Sequence, residues 1–118
     1  MKRFLITIIS ALGLSAAAMA ITPASFPGGE AAEKEYIAAN LKYPQTAKDN
    51  GIEGVVSVVF TVKADGSIGN IKIKRMIDPD LESEAIRLVK QMPAWTPAND
   101  NGTPVESTAE TEISFSLD

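Results

Sequence analysis

Residues 54–63 alternate along their whole length. Val56, Val58, Phe60 and Val62 fall on one parity; Val55, Ser57, Val59, Thr61 and Lys63 fall on the other. A period of two in β-branched and aromatic residues predicts a strand with one buried face. Ala64-Asp65-Gly66-Ser67 follows as a hairpin turn, because Asp-Gly supplies the left-handed backbone that tight hairpins need. The returning strand is expected over 68–76, with Lys72 and Lys74 facing water between Ile71 and Ile73. The same period recurs over 105–117. There Val105, Ala109, Ile113, Phe115 and Leu117 share one parity, and Glu106, Thr108, Glu110, Glu112, Ser114 and Ser116 the other.

Two other stretches carry a helical period. Over 30–41, Tyr36, Ile37 and Leu41 line one face, with Glu30, Glu33, Lys34 and Glu35 mostly opposite. Pro44 is expected at the first position of a short second helix, which Gly51 closes. From Asp78-Pro79 a further helix begins, with Asp78 as N-cap and Pro79 at the first position. Its apolar stripe is Leu81, Ala85, Leu88, Val89 and Met92, and Pro93 stops it. Trp95 lies in an extended Pro-rich piece, and Asn101-Gly102 marks another turn. The main elements run helix, strand, strand, helix, strand. That order predicts an α+β two-layer sandwich: a three-stranded antiparallel sheet with two main helices packed on one face.

The N-terminus has a different character. Lys2 and Arg3 precede an apolar run from Phe4 to Leu14, and small residues end at Ala18-Met19-Ala20. This is the pattern of a secretory signal peptide cleaved after Ala20, with Ala18 as second choice. The alternative is an uncleaved membrane anchor, for which the apolar run falls short of the roughly 20 residues a spanning helix needs. Export implies the periplasm, with inner-membrane anchoring as the alternative. Residues 21–29 read as a short lead-in to a domain over 30–118. Without Lys2 and Arg3, the 11 basic residues fall to 9 against 15 acidic ones, a net charge of −6. An acidic chain with no Lys/Arg cluster lacks the footprint of a nucleic-acid binder and has little attraction to anionic lipid.

The chain has no His and no Cys. Cys nucleophiles, His bases and the usual zinc ligands are therefore missing, and no cofactor or metal is expected. Ser57 with Lys63, or Ser83 with Arg87, has no third group to orient it. Asp78, Asp80, Glu82 and Glu84 lack the glycine and the spacing of a calcium loop, and helix capping accounts for them. Trp95 reads first as a core residue and second as an exposed aromatic that docks a ligand. No catalytic role is assigned to any residue.

Several short motifs stand in a fixed order. They are Tyr43-Pro44-Gln45-Thr46-Ala47, Gly51-Ile52-Glu53-Gly54, Val56 to Val62, Asp65-Gly66-Ser67-Ile68, Met92-Pro93-Ala94-Trp95-Thr96-Pro97-Ala98 and Asn101-Gly102-Thr103-Pro104-Val105. Together they resemble the C-terminal domain of the TonB family over residues 43–117. The resemblance implies the α+β fold above and a non-enzymatic binding role. It also implies a partner: the TonB box of an outer-membrane receptor, an extended segment that adds as a strand beside the last strand of the sheet.

An edge strand with unpaired N–H and C=O groups suits such a guest on physical grounds too. Residues 106–116 would supply the edge, with Glu106, Thr108, Glu110, Thr111, Glu112, Ser114 and Ser116 as candidate contacts. Lys42, Tyr43 and Pro44 match the second contact region that the resemblance implies. Energy transducers of this family have a membrane anchor and a long Pro-rich spacer, so a chain cleaved after Ala20 is expected to act as a free domain. Better-known members are often basic where this one is acidic, which points to a different receptor set. The competing function is structural: an envelope domain that pairs with its own copy or with the cell wall and has no transport role.

Overall fold

A computed structural model describes residues 21–117, and the signal peptide expected over 1–20 lies outside them. In chain order the elements are β1 (Ile21–Thr22), α1 (Glu30–Asn40), α2 (Gln45–Asp49), β2 (Gly54–Val62), β3 (Ile68–Ile73), α3 (Pro79–Lys90), β4 (Ala98–Asp100), β5 (Thr103–Val105) and β6 (Ser107–Phe115). The main sheet is antiparallel in the order β3-β2-β6. The alternation in β2 becomes burial: Val56, Val58, Phe60 and Val62 are all closed to solvent. Ile113 and Phe115 of β6 join them, and Leu81, Ala85, Leu88 and Val89 of α3 complete the core.

α3 begins where the sequence says it should. The Asp78 carboxylate accepts from the Asp80 and Leu81 N–H groups, both at 3.0 Å, and Pro79 follows it. A second expectation shifts by one residue. Pro44 is the N-cap of α2, not its first helical residue, and its carbonyl accepts the Lys48 N–H. Past the end of α2, Gly51 N–H bonds the Lys48 carbonyl and Ile52 N–H the Ala47 carbonyl, satisfying acceptors that the helix end leaves open.

Three differences from the sequence reading have physical causes. β3 stops at Ile73 and does not run to residue 76. Met76 is 80% exposed, so that stretch has no face to bury. Within β3, one extra residue lies opposite Phe60, where Asn70 takes φ 47°. This is a β-bulge, and Asn tolerates left-handed backbone better than most residues.

The second difference is a small extra sheet, β1-β4-β5. The Asn101-Gly102 turn is the tip of its β4–β5 hairpin. Third, Glu33 is buried and does not sit on the polar face. Its Oε2 accepts the Thr111 hydroxyl at 2.5 Å. Phe26, from the lead-in, is likewise buried and packs on Tyr36 and Trp95.

Both main helices lie on the inner face of the main sheet. α1 is tied in by Glu33 to Thr111 and by the Tyr36 hydroxyl, which donates to the Leu88 carbonyl at 2.7 Å. Burial raises the Tyr36 pKa, and Arg87 beside it offsets part of that rise. Trp95 is buried, as its structural reading expected. It meets Phe60 edge-on at 5.1 Å and Phe26 at 6.1 Å, and its Nε1–H points at the Met92 sulfur at 3.4 Å.

Candidate functional site

Among the described residues, β6 has a strand partner on one side only. It pairs with β2 from Gly54↔Phe115 to Val62↔Ser107 without a break. The direction of its free groups follows from the opposite margin of β2. Lys74 N–H donates to the Ser57 carbonyl at 2.9 Å, and Lys63 N–H to the Ser67 carbonyl at 2.8 Å. Odd members of β2 therefore turn their backbone toward β3, and even members toward β6. The pairs 56↔113, 58↔111 and 60↔109 are the bonded ones, so odd members of β6 face β2. The N–H and C=O groups of Thr108, Glu110, Glu112 and Ser114 point outward, and among the described residues no backbone group pairs with them.

The side chains sort by the same parity. Thr108, Glu112 and Ser114 are exposed on the outer face of the sheet, Glu110 is half-buried there, and Ser116 is exposed just past the strand. Glu106 is exposed at the crossing from β5 to β6. Thr111 differs from the other candidates. Its side chain is buried beneath α1 on Glu33, so it can meet a guest through neighbouring packing alone. The Ser107 hydroxyl, at the start of the strand, is buried with no hydrogen-bond partner among the described residues.

The other candidate residues, Lys42, Tyr43 and Pro44, sit near the far end of the strand. The Tyr43 ring packs edge-on against Phe115 at 5.6 Å, and its hydroxyl donates to the Ile52 carbonyl. Burial, with Glu53 and Asp78 nearby, raises the pKa of that hydroxyl. Lys42 is held by its backbone: its N–H donates to Glu84 Oε2 at 2.6 Å. Glu84 also takes two bonds from Arg87, at 2.7 Å each, and Arg87 reaches the Asn40 carbonyl at 2.9 Å. One buried carboxylate thus fastens the Asn40–Pro44 stretch to α3. No sequence period announces this latch, because its partners lie about forty residues apart.

Burial alone would raise the Glu84 pKa, but the bonds from Arg87 and the Lys42 amide outweigh it and hold the carboxyl below its ordinary value. A lowered folded-state pKa adds stability above the unfolded value, and that stability is lost as pH falls through the folded one. Unfolding free energy should therefore decline below the ordinary Glu pKa of about 4.3. Glu84→Gln should cost roughly 2 kcal/mol near neutral pH, since hydrogen bonds to a buried charge are lost. Denaturant titrations at pH 7 and pH 3 check this. The gap between the two proteins should narrow in acid, and a constant gap would remove Glu84 from the acid response.

Among the described residues no three carboxylates converge to hold a metal ion, and no helix is long and apolar enough to cross a membrane. The arrangement defines a class: a two-layer α+β domain whose last strand keeps a margin that is unpaired among the described residues. The model of the Gram-negative bacterial TonB protein C-terminal matches residues 39–117, and the chain belongs to that family. Protein TonB of Helicobacter pylori strains J99 and 26695 is 41% identical over 49 residues, which is 42% of this chain. That stretch is 18% and 17% of those relatives' lengths, so most of each relative has no matched counterpart here. The NMR solution structure of the Helicobacter pylori TonB C-terminal domain is similar at a TM-score of 0.56 and 25% identity. The similarity covers 90% of this chain and 96% of that one. The expected fold and family are thus both borne out.

Proposed function

We propose that this chain is a periplasmic, non-enzymatic binding module of TonB type. It takes up the TonB-box segment of an outer-membrane receptor by strand addition along β6, in energy-coupled transport or its modulation. One observation carries the reading: the outward N–H and C=O groups of Thr108, Glu110, Glu112 and Ser114 have no backbone partner among the described residues. An extended segment satisfies such groups with main-chain bonds and needs no pocket. Lys42, whose N–H is held by Glu84, Tyr43, whose ring packs on Phe115, and Pro44 after them give the guest a second support. Pairing with a second copy is less favourable, because an antiparallel pair centred on Thr111 sets Glu110 of one copy against Glu112 of the other.

The test is an NMR titration of labelled protein with TonB-box peptides from receptors of the same genome. The four outward amides of β6 should shift most, and the amides of β3 least. Peptides that leave the β6 amides unmoved would contradict the proposal.

A further inference from the structure

The outer face of the main sheet has a charge order that ends at its open margin. One row across the sheet is Lys72, Val59, Glu110, and the next, joined by the Lys74 N–H bond to the Ser57 carbonyl, is Lys74, Ser57, Glu112. Cations stand on β3 and just past its end, small or apolar residues on β2, and carboxylates on the edge strand. Lys74 Nζ reaches diagonally across β2 to both Glu110 oxygens at 3.3 Å. Glu112 is exposed and makes no ion pair or hydrogen bond through its side chain among the described residues.

A guest strand added beside β6 would place alternate side chains on this same face, with Cβ atoms about 4.5–5.5 Å from those of Glu110 and Glu112. Its intervening side chains would turn to the helix side, next to Ala109, Thr111 and Ile113, of which Thr111 and Ile113 are buried.

The geometry points to a guest segment of defined chemistry: extended, with Lys or Arg two residues apart on the outer face and an apolar residue between them. This rests on strand addition along β6 and adds what selects the guest. A basic pair completes the order of cation, neutral, anion, cation across the sheet. A guest with carboxylates there would set like charges directly opposite, which destabilises a sheet pair. Such exposed pairs act mainly on partner choice and on encounter rate, and salt screens them.

The experiment compares three six-residue peptides of alternating Val and a variable residue: Lys, Gln or Glu. Calorimetry gives affinity and amide shifts give location, for the native protein and for Glu112→Lys. Since the Glu112 side chain bonds nothing among the described residues, the substitution should leave the fold intact. The Lys peptide should bind the native protein about five-fold tighter than the Gln peptide at low salt, and the Glu peptide weakest, with the spread narrowing near 0.5 M salt. Glu112→Lys should collapse or invert that ranking. Equal affinities for all three peptides, with shifts still along residues 108–114, would overturn the charge selection and leave strand addition standing. Shifts nowhere on β6 with any peptide, receptor segments included, would overturn both.

Discussion

Trp95→Ala is expected to destabilise the domain by about 3–4 kcal/mol, the range for emptying a buried aromatic site. For a domain of this size that lowers the melting temperature by roughly 20 °C. The ring is only 5% exposed, and it touches Phe26 and Phe60 edge-on, two contacts worth more than their area alone. It therefore joins three parts of the chain: the N-terminal lead-in, the central strand and the segment after α3. Alanine leaves a cavity bounded by the rigid strand β2, which cannot collapse to fill it. Trp95→Phe keeps most of the ring and should cost about half as much. Thermal melts followed by circular dichroism check both, and an unchanged melt for Trp95→Ala would put the ring in solvent.

Gly66→Ala should be nearly as damaging, at about 3 kcal/mol. Gly66 has φ 89° at the tip of the β2–β3 hairpin, and an added Cβ would collide with the Trp95 carbonyl oxygen. That oxygen belongs to backbone and cannot swing aside. The Gly66 carbonyl also accepts the Trp95 N–H at 2.9 Å, so the shift that relieves the clash breaks a main-chain bond. Gly102 is the control. Its φ is 87°, and an added Cβ meets nothing within 4 Å. Gly102→Ala should therefore show the backbone strain alone, about 1 kcal/mol. Equal losses at the two sites would mean that the hairpin tip does not press on the Trp95 segment.

The parts of the fold that were legible in the sequence are those governed by local pattern. β2 and β6 follow from period-two alternation, and α3 follows from Asp78-Pro79 and its apolar stripe. What escaped depends on distant partners. Glu33 looks like a solvated acid because its counterpart, Thr111, lies 78 residues away. Phe26 stands alone among Pro, Gly and Ser, with no period to show that it is buried. Strands β4 and β5, at three residues each, are too short to alternate visibly.

The candidate edge was legible as a strand, and its sidedness was not. Parity of side chains says which face is wet. The direction of the backbone groups follows only once β2 is known to lie on one side of β6 and, among the described residues, no strand on the other. The same limit explains Thr111: its position in the candidate edge was readable, but its tie to α1 was not.

Hydrogen exchange read amide by amide along β6 tests the open margin most directly, because exchange reports whether each N–H has a bonded partner. In the free protein, Thr108, Glu110, Glu112 and Ser114 should exchange fast while Ala109, Thr111 and Ile113, bonded to β2, exchange slowly. Saturation with a receptor's TonB-box peptide should slow the fast set and leave the slow set as it was. Uniform protection of all seven amides before any peptide is added would contradict the account, as would fast exchange of the outward four with the peptide bound.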